Sequence, residues 1–164
     1  MTMVMILLFN MLKSIELEWL TRKIDKTLSI PTLVYSDSEN SYCGGSYYDS
    51  ADGEICIDGK YYSLKNGLIV IYGNNISDDK HFIHILAHEF RHSMYDNKKI
   101  LRDGIETSML DEYNYDWVAK QYFTKSKSEY DALMFAHKYA PSSRSTHWID
   151  LIYDNNVKPI KIKK

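Results

Sequence analysis

Residues 80–95 read KHFIHILAHEFRHSMY, and within them His88-Glu89-Phe90-Arg91-His92 sets two imidazoles four positions apart. Four positions is a little over one helical turn, so on a helix both rings leave the same face. Two imidazoles on one face can hold one divalent metal at roughly 2.0–2.1 Å per bond. Glu89 follows the first histidine directly, which puts its carboxylate beside a metal-bound water and outside the ligand set. Phe82, Ile85, Leu86 and Phe90 form an apolar stripe beside the histidines, so this helix is also core. Polar groups on the inner face of a buried helix are costly unless something binds them. The plain alternative is a helix whose histidines hydrogen-bond within the core. His84 with His88 is a rival pair, but no Glu stands at the required place between them.

A catalytic zinc site usually has three protein ligands and one open position. The extended pattern that adds a Gly and a third His is absent, because Tyr95 and Lys98 stand there. Downstream, Glu112 and Asp116 are one helical turn apart. Glu112 can serve as the third ligand, while Asp116 hydrogen-bonds the far nitrogen of a zinc histidine and fixes its tautomer. Glu106 is the runner-up third ligand, lacking an acid four residues on. Tyr95, His137 and His147 are candidates for stabilising an oxyanion; His137 is read as a core histidine before a site one.

His88-Glu89-x-x-His92 followed by Glu112-x-x-x-Asp116 resembles the gluzincin branch of zinc metallopeptidases. Phe90-Arg91 inside the motif, and the later E-x-x-x-D-x-x-A, resemble the short ImmA/IrrE-like proteins of phages and mobile elements. Gly45-Ser46-Tyr47-Tyr48 and Glu54-Ile55-Cys56-Ile57 are similar to a stretch that, in that family, forms the sheet flanking the cleft. The resemblance spans roughly residues 30–125. It implies a zincin-like domain that cleaves an intracellular regulatory protein. One departure is Tyr115, where the family carries a small residue before the Asp. That ring must point elsewhere or push the helices apart.

Those residues need a scaffold. The length of 164 residues suits one domain over 1–164 with a real core. A composition 45% hydrophobic and 26% charged is that of a water-soluble globular chain. The net charge of −2 gives no electrostatic case for nucleic acid as an obligate partner. The apolar run at 3–12 is too short to span a bilayer, and lacks the flanks of an export signal. Leu8, Leu12, Ile15 and Trp19 recur at helical spacing, which predicts a core-covering amphipathic helix over about 3–27. Cys43 and Cys56 form no C-x-x-C and read as free thiols in the cytoplasm.

Residues 32–73 read as β. Strands are predicted near 32–35, 54–57, 61–64 and 68–72, punctuated by Asp52-Gly53, Asp58-Gly59 and Asn66-Gly67. Gly44-Gly45 either lets the backbone approach another chain closely or is simply a bulge. Asp78-Asp79 caps the histidine helix, a second helix runs over about 105–124, and a third over 128–139 ends at Pro141. The basic tail at 157–164 reads as a solvated end.

The expectation is an α+β, minimal zincin-like domain: an N-terminal helix, a small mostly antiparallel sheet, a zinc helix and a glutamate-bearing helix. Zn2+ would be held by His88, His92 and Glu112, with Glu89 as general base on a peptide or protein substrate lying along the edge strand. No membrane partner is expected. Two other classes stay open. One is a zinc-binding regulatory or protein-interaction module that does not hydrolyse. The other is a SprT-like DNA-associated protease, which the lack of a cysteine cluster for a zinc ribbon ranks lower.

Overall fold

The computed structural model describes residues 16–24, 26–38, 43–94, 109 and 112–163. The chain is α+β. Its strands are β1 (Thr32–Ser36), β2 (Gly45–Tyr48), β3 (Glu54–Ile57), β4 (Lys60–Ser63) and β5 (Leu68–Tyr72). Its helices are α1 (16–24), α2 (Asp79–Ser93), α3 (Tyr115–Lys125), α4 (Lys127–Tyr139) and α5 (Ser143–Tyr153).

β5 is the centre of a three-stranded sheet of order β1-β5-β2, parallel to β1 and antiparallel to β2. Its sequence LIVIY is apolar throughout, and side chains alternate between the faces of a strand. Ile69 and Ile71 therefore face the helices, packing with Leu17, Leu20, Phe82, Ile85, Leu86 and Phe90. Leu68 and Val70 join Val34 on the opposite face, under Ile55, Ile57 and Tyr62 of the β3–β4 hairpin. The result is a hairpin, a sheet and a helical layer, in that order. Two of the three strand pairings are antiparallel, as expected. The Asp58-Gly59 turn closes the hairpin with both residues at positive φ, 50° and 78°.

α1 differs from its expected face. Leu17 and Leu20 are buried and Ile24 packs beside them, whereas Trp19 is 54% exposed. The inward stripe is Leu17, Leu20 and Ile24, at i, i+3 and i+7, and it turns Trp19 outward beneath Lys23. Leu8, Leu12 and Ile15 lie outside the described residues.

Asp78 caps α2: its side chain accepts a hydrogen bond from the His81 backbone N–H at 2.8 Å. Ten residues of α2 are buried, because it runs between β5 and α4. α5 is an additional helix, beyond those the sequence pattern predicts. Ser142 and Ser145 form a reciprocal capping box at its start. Among the described residues, no helix is long and apolar enough to cross a membrane.

Candidate metal centre

Four of the six histidines, His81, His84, His88 and His92, lie along the buried side of α2. His88 and His92 turn their Nε2 atoms towards each other at 3.2 Å. The carboxylate that meets them is Glu129, in the first turn of α4. His88 Nε2 is 2.9 Å from Glu129 Oε2, and His92 Nε2 is 3.3 Å from Oε1. All three residues are buried, and among the described residues they form the one group whose donor atoms are close enough for a metal.

The dimensions fit a small divalent cation. Three donors around a tetrahedral ion, each at roughly 2.0–2.1 Å, stand about 3.3–3.4 Å apart. Here the two imidazole Nε2 atoms are 3.2 Å apart, each lies 2.9 or 3.3 Å from a different oxygen of the Glu129 carboxylate, and one donor atom from each residue lies within 4.8 Å of the other two. Burial alone would raise the Glu129 pKa, but hydrogen bonds from both imidazoles outweigh it and hold the carboxyl well below its usual range. The group therefore presents a buried anion with two imidazoles, a donor set that could hold a divalent metal ion.

Glu112 is not at this site. It is exposed, and its backbone carbonyl accepts from the Ile162 N–H at 2.9 Å. Asn114 is extended, with φ −61° and ψ 142°, so α3 begins at Tyr115 and Glu112 shares no helix with Asp116. What holds this segment is the C-terminal tail: Tyr113 bridges Lys161, and the Asn114 N–H donates to the Ile160 carbonyl. Asp116 sits 3.5 Å from His147 Nε2, with both side chains about half exposed, instead of behind a site histidine. Tyr115 points outward, so no ring wedges the helices apart. Glu106 and Tyr95 lie outside the described residues. His137 donates to or accepts from Ser145 Oγ at 2.8 Å, a bond between α4 and α5.

Glu129 had a signal in the sequence. Ser126-Lys127-Ser128-Glu129 is the S-x-x-E of a capping box. The Ser126 hydroxyl does accept from the Glu129 N–H. The glutamate half is diverted, since the Glu129 side chain reaches across to the α2 histidines.

Three further residues build the surroundings. Tyr122 donates its hydroxyl to Glu129; burial, then the charges of Glu129 and Glu89, push the phenol pKa well up. Arg91 reaches Asp131, two residues beyond Glu129, at 2.8 Å. Glu89 is buried against edge strand β2, where a Cβ on Gly45 would stand 2.9 Å from Glu89 Cγ and 2.8 Å from Ile85 Cγ2. Gly45 is thus a site of close approach within the chain: the bare backbone lets β2 lie directly on Glu89. No family model, curated protein or solved structure matches this chain.

Proposed function

We propose that this chain is a zinc-dependent peptidase of the gluzincin kind, with His88, His92 and Glu129 as ligands and Glu89 as general base. The observation that carries the reading is the buried His88–His92–Glu129 triangle with Glu89 on the same helix, one residue from the first ligand. A structural zinc site is usually closed by four protein ligands, whereas three ligands and a neighbouring carboxylate suit catalysis.

Bound zinc would polarise the scissile carbonyl and acidify a water. Glu89 takes the proton of the attacking water and passes it to the leaving amine nitrogen. Its burial against β2 fixes the carboxylate's position without a long flexible reach. β2 is an edge of its sheet, bonded only to β5 among the described strands. An extended peptide can add to it as a further strand, its backbone running past Glu89. Tyr122 orients the Glu129 carboxylate through its hydroxyl. The substrate is then an unfolded or extended protein segment, and limited proteolysis of an intracellular regulatory protein follows from the family resemblance.

The test separates metal from chemistry. Glu89→Gln should keep zinc content and fold while abolishing cleavage, since an amide cannot accept the water's proton. General-base loss typically slows such a step by about 10²–10⁴. Wild type and Glu89→Gln cleaving a captured protein at equal rates would remove Glu89 from the role. A zinc-loaded wild type that cleaves none of the proteins it traps would favour a non-hydrolytic binding module.

A further inference from the structure

Behind the candidate metal centre, α2 and α5 carry three buried polar atoms that have no hydrogen-bond partner among the described residues: His81 Nε2, His84 Nε2 and Trp148 Nε1. His84 is wholly buried and His81 is 4% exposed. Both imidazoles neighbour the indole: the His81 and His84 rings lie 6.1 and 6.0 Å from Trp148, centroid to centroid. Phe123 closes the group at 5.6 Å from Trp148. Unsatisfied buried polar atoms are individually costly, and three on neighbouring rings are most simply satisfied by a shared partner.

The bonds made by the opposite ring nitrogens fix what that partner must be. His84 Nδ1 lies 3.2 Å from the Ala140 carbonyl oxygen, which can only accept, so the proton is on Nδ1 and Nε2 offers a lone pair. His81 Nδ1 receives the Ser77 backbone N–H at 3.1 Å, so it carries the lone pair and Nε2 carries the proton. Trp148 Nε1 is a donor only. The enclosure therefore presents two donors and one acceptor. A cation would meet two N–H groups, and an anion would meet the His84 lone pair. A water molecule matches, accepting twice and donating once.

We propose that one ordered water is bound between His81, His84 and Trp148, accepting from His81 and Trp148 and donating to His84. This bridge ties α5 to the N-terminal half of α2. Together with the His84–Ala140 bond it sets the rotation of α2 about its axis, and so the direction in which His88 and His92 project one and two turns further on. Neither a metal nor catalysis enters this bridge, so it stands or falls separately from the peptidase reading.

Nuclear magnetic resonance on the full chain, labelled with ¹⁵N in histidine and tryptophan, tests it. The expected result is a proton on Nδ1 of His84 and on Nε2 of His81, with His81 Hε2 and Trp148 Hε1 both showing contacts to a long-lived water. A proton on Nε2 of His84 would overturn it. So would an N–N coupling across a direct His81–His84 hydrogen bond, or the absence of water contacts at either proton.

Discussion

Arg91 and Asp131 form a fork between α2 and α4: Nε to Oδ2 is 2.8 Å and Nη2 to Oδ1 is 3.4 Å. Arg91 immediately precedes His92, and Asp131 follows Glu129 by two residues. The guanidinium also lies over the Phe135 ring, 4.9 Å from its centroid. The pair thus sets the register of the two helices that carry His88, His92 and Glu129. Both side chains are partly exposed, so the pair itself contributes only about 0.2–1 kcal/mol to stability. Its larger effect is on geometry. Arg91→Lys keeps the charge but loses the planar fork and the ring contact. Zinc affinity should fall by about tenfold with little change in melting temperature, as read by chelator competition beside thermal unfolding. Unchanged affinity would mean the ligands hold their own register.

Zinc content should depend on Glu129 and not on Glu112. Glu129→Ala removes one of three donors from a buried group and leaves His88 and His92 facing each other at 3.2 Å. Glu112→Ala alters an exposed side chain whose structural bond is made by its backbone. Elemental analysis of the purified chains should give about one zinc per wild-type or Glu112→Ala chain. Glu129→Ala should come out nearly empty. The opposite pattern would put the third ligand elsewhere.

Tyr122→Phe removes one hydroxyl from Glu129 and keeps the ring against Phe123, whose centroid is 5.1 Å away. A partner that orients a ligand carboxylate typically accounts for about 10–100-fold in metal affinity or activity. The fold should be retained, and a zinc-responsive dye titration should show weaker binding. Equal affinity in both proteins would assign Tyr122 to packing alone.

Gly45→Ala tests the approach of β2 to Glu89. The added methyl would stand 2.8 Å from Ile85 Cγ2, 2.9 Å from Glu89 Cγ and 3.2 Å from the Val70 carbonyl oxygen. The strand or the helix must shift, and overpacking of this kind typically costs about 1–3 kcal/mol. Urea unfolding should show that loss, with cleavage reduced further because Glu89 is displaced. A variant as stable and as active as wild type would mean β2 is free to move.

What could be read in the sequence was what local pattern controls. The β3–β4 hairpin follows from Asp58-Gly59, the α2 start from Asp78, and the buried β5 from LIVIY. His88, Glu89 and His92 come from a single helix, so their spacing alone brings them together. Glu129 comes from another helix, 37 positions after His92, and no local rule fixes which distant carboxylate arrives. Glu112-x-x-x-Asp116 has the right spacing, but Asn114 breaks the helix between them and the tail captures the segment. Trp19 misled for a related reason: two apolar stripes overlap on that helix, and the buried one is the stripe that meets β5 and α2.

Stability should fall with acid because of His84. Burial is the main cause that depresses its pKa, aided by the neighbouring imidazole of His88, to about 3 from an ordinary 6.5. An unfolded chain protonates this ring near pH 6.5, whereas the folded one stays neutral until about pH 3. Between those values the unfolded state holds one more proton, so each step downward favours unfolding. For one proton the slope reaches about 1.4 kcal/mol per pH unit, and above the unfolded pKa it vanishes. His81, also lowered, mainly by burial, acts in the same direction. Glu129 adds its own loss only at lower pH, below the ordinary carboxylate range near 4.5. Urea unfolding between about pH 7 and pH 5, with a chelator present so that metal release plays no part, isolates the histidine window. Wild type should lose stability steadily through it, and His84→Gln should lose it less steeply. A wild type whose stability is flat across that range would show that the folded protein admits a proton to His84 as readily as the unfolded chain does.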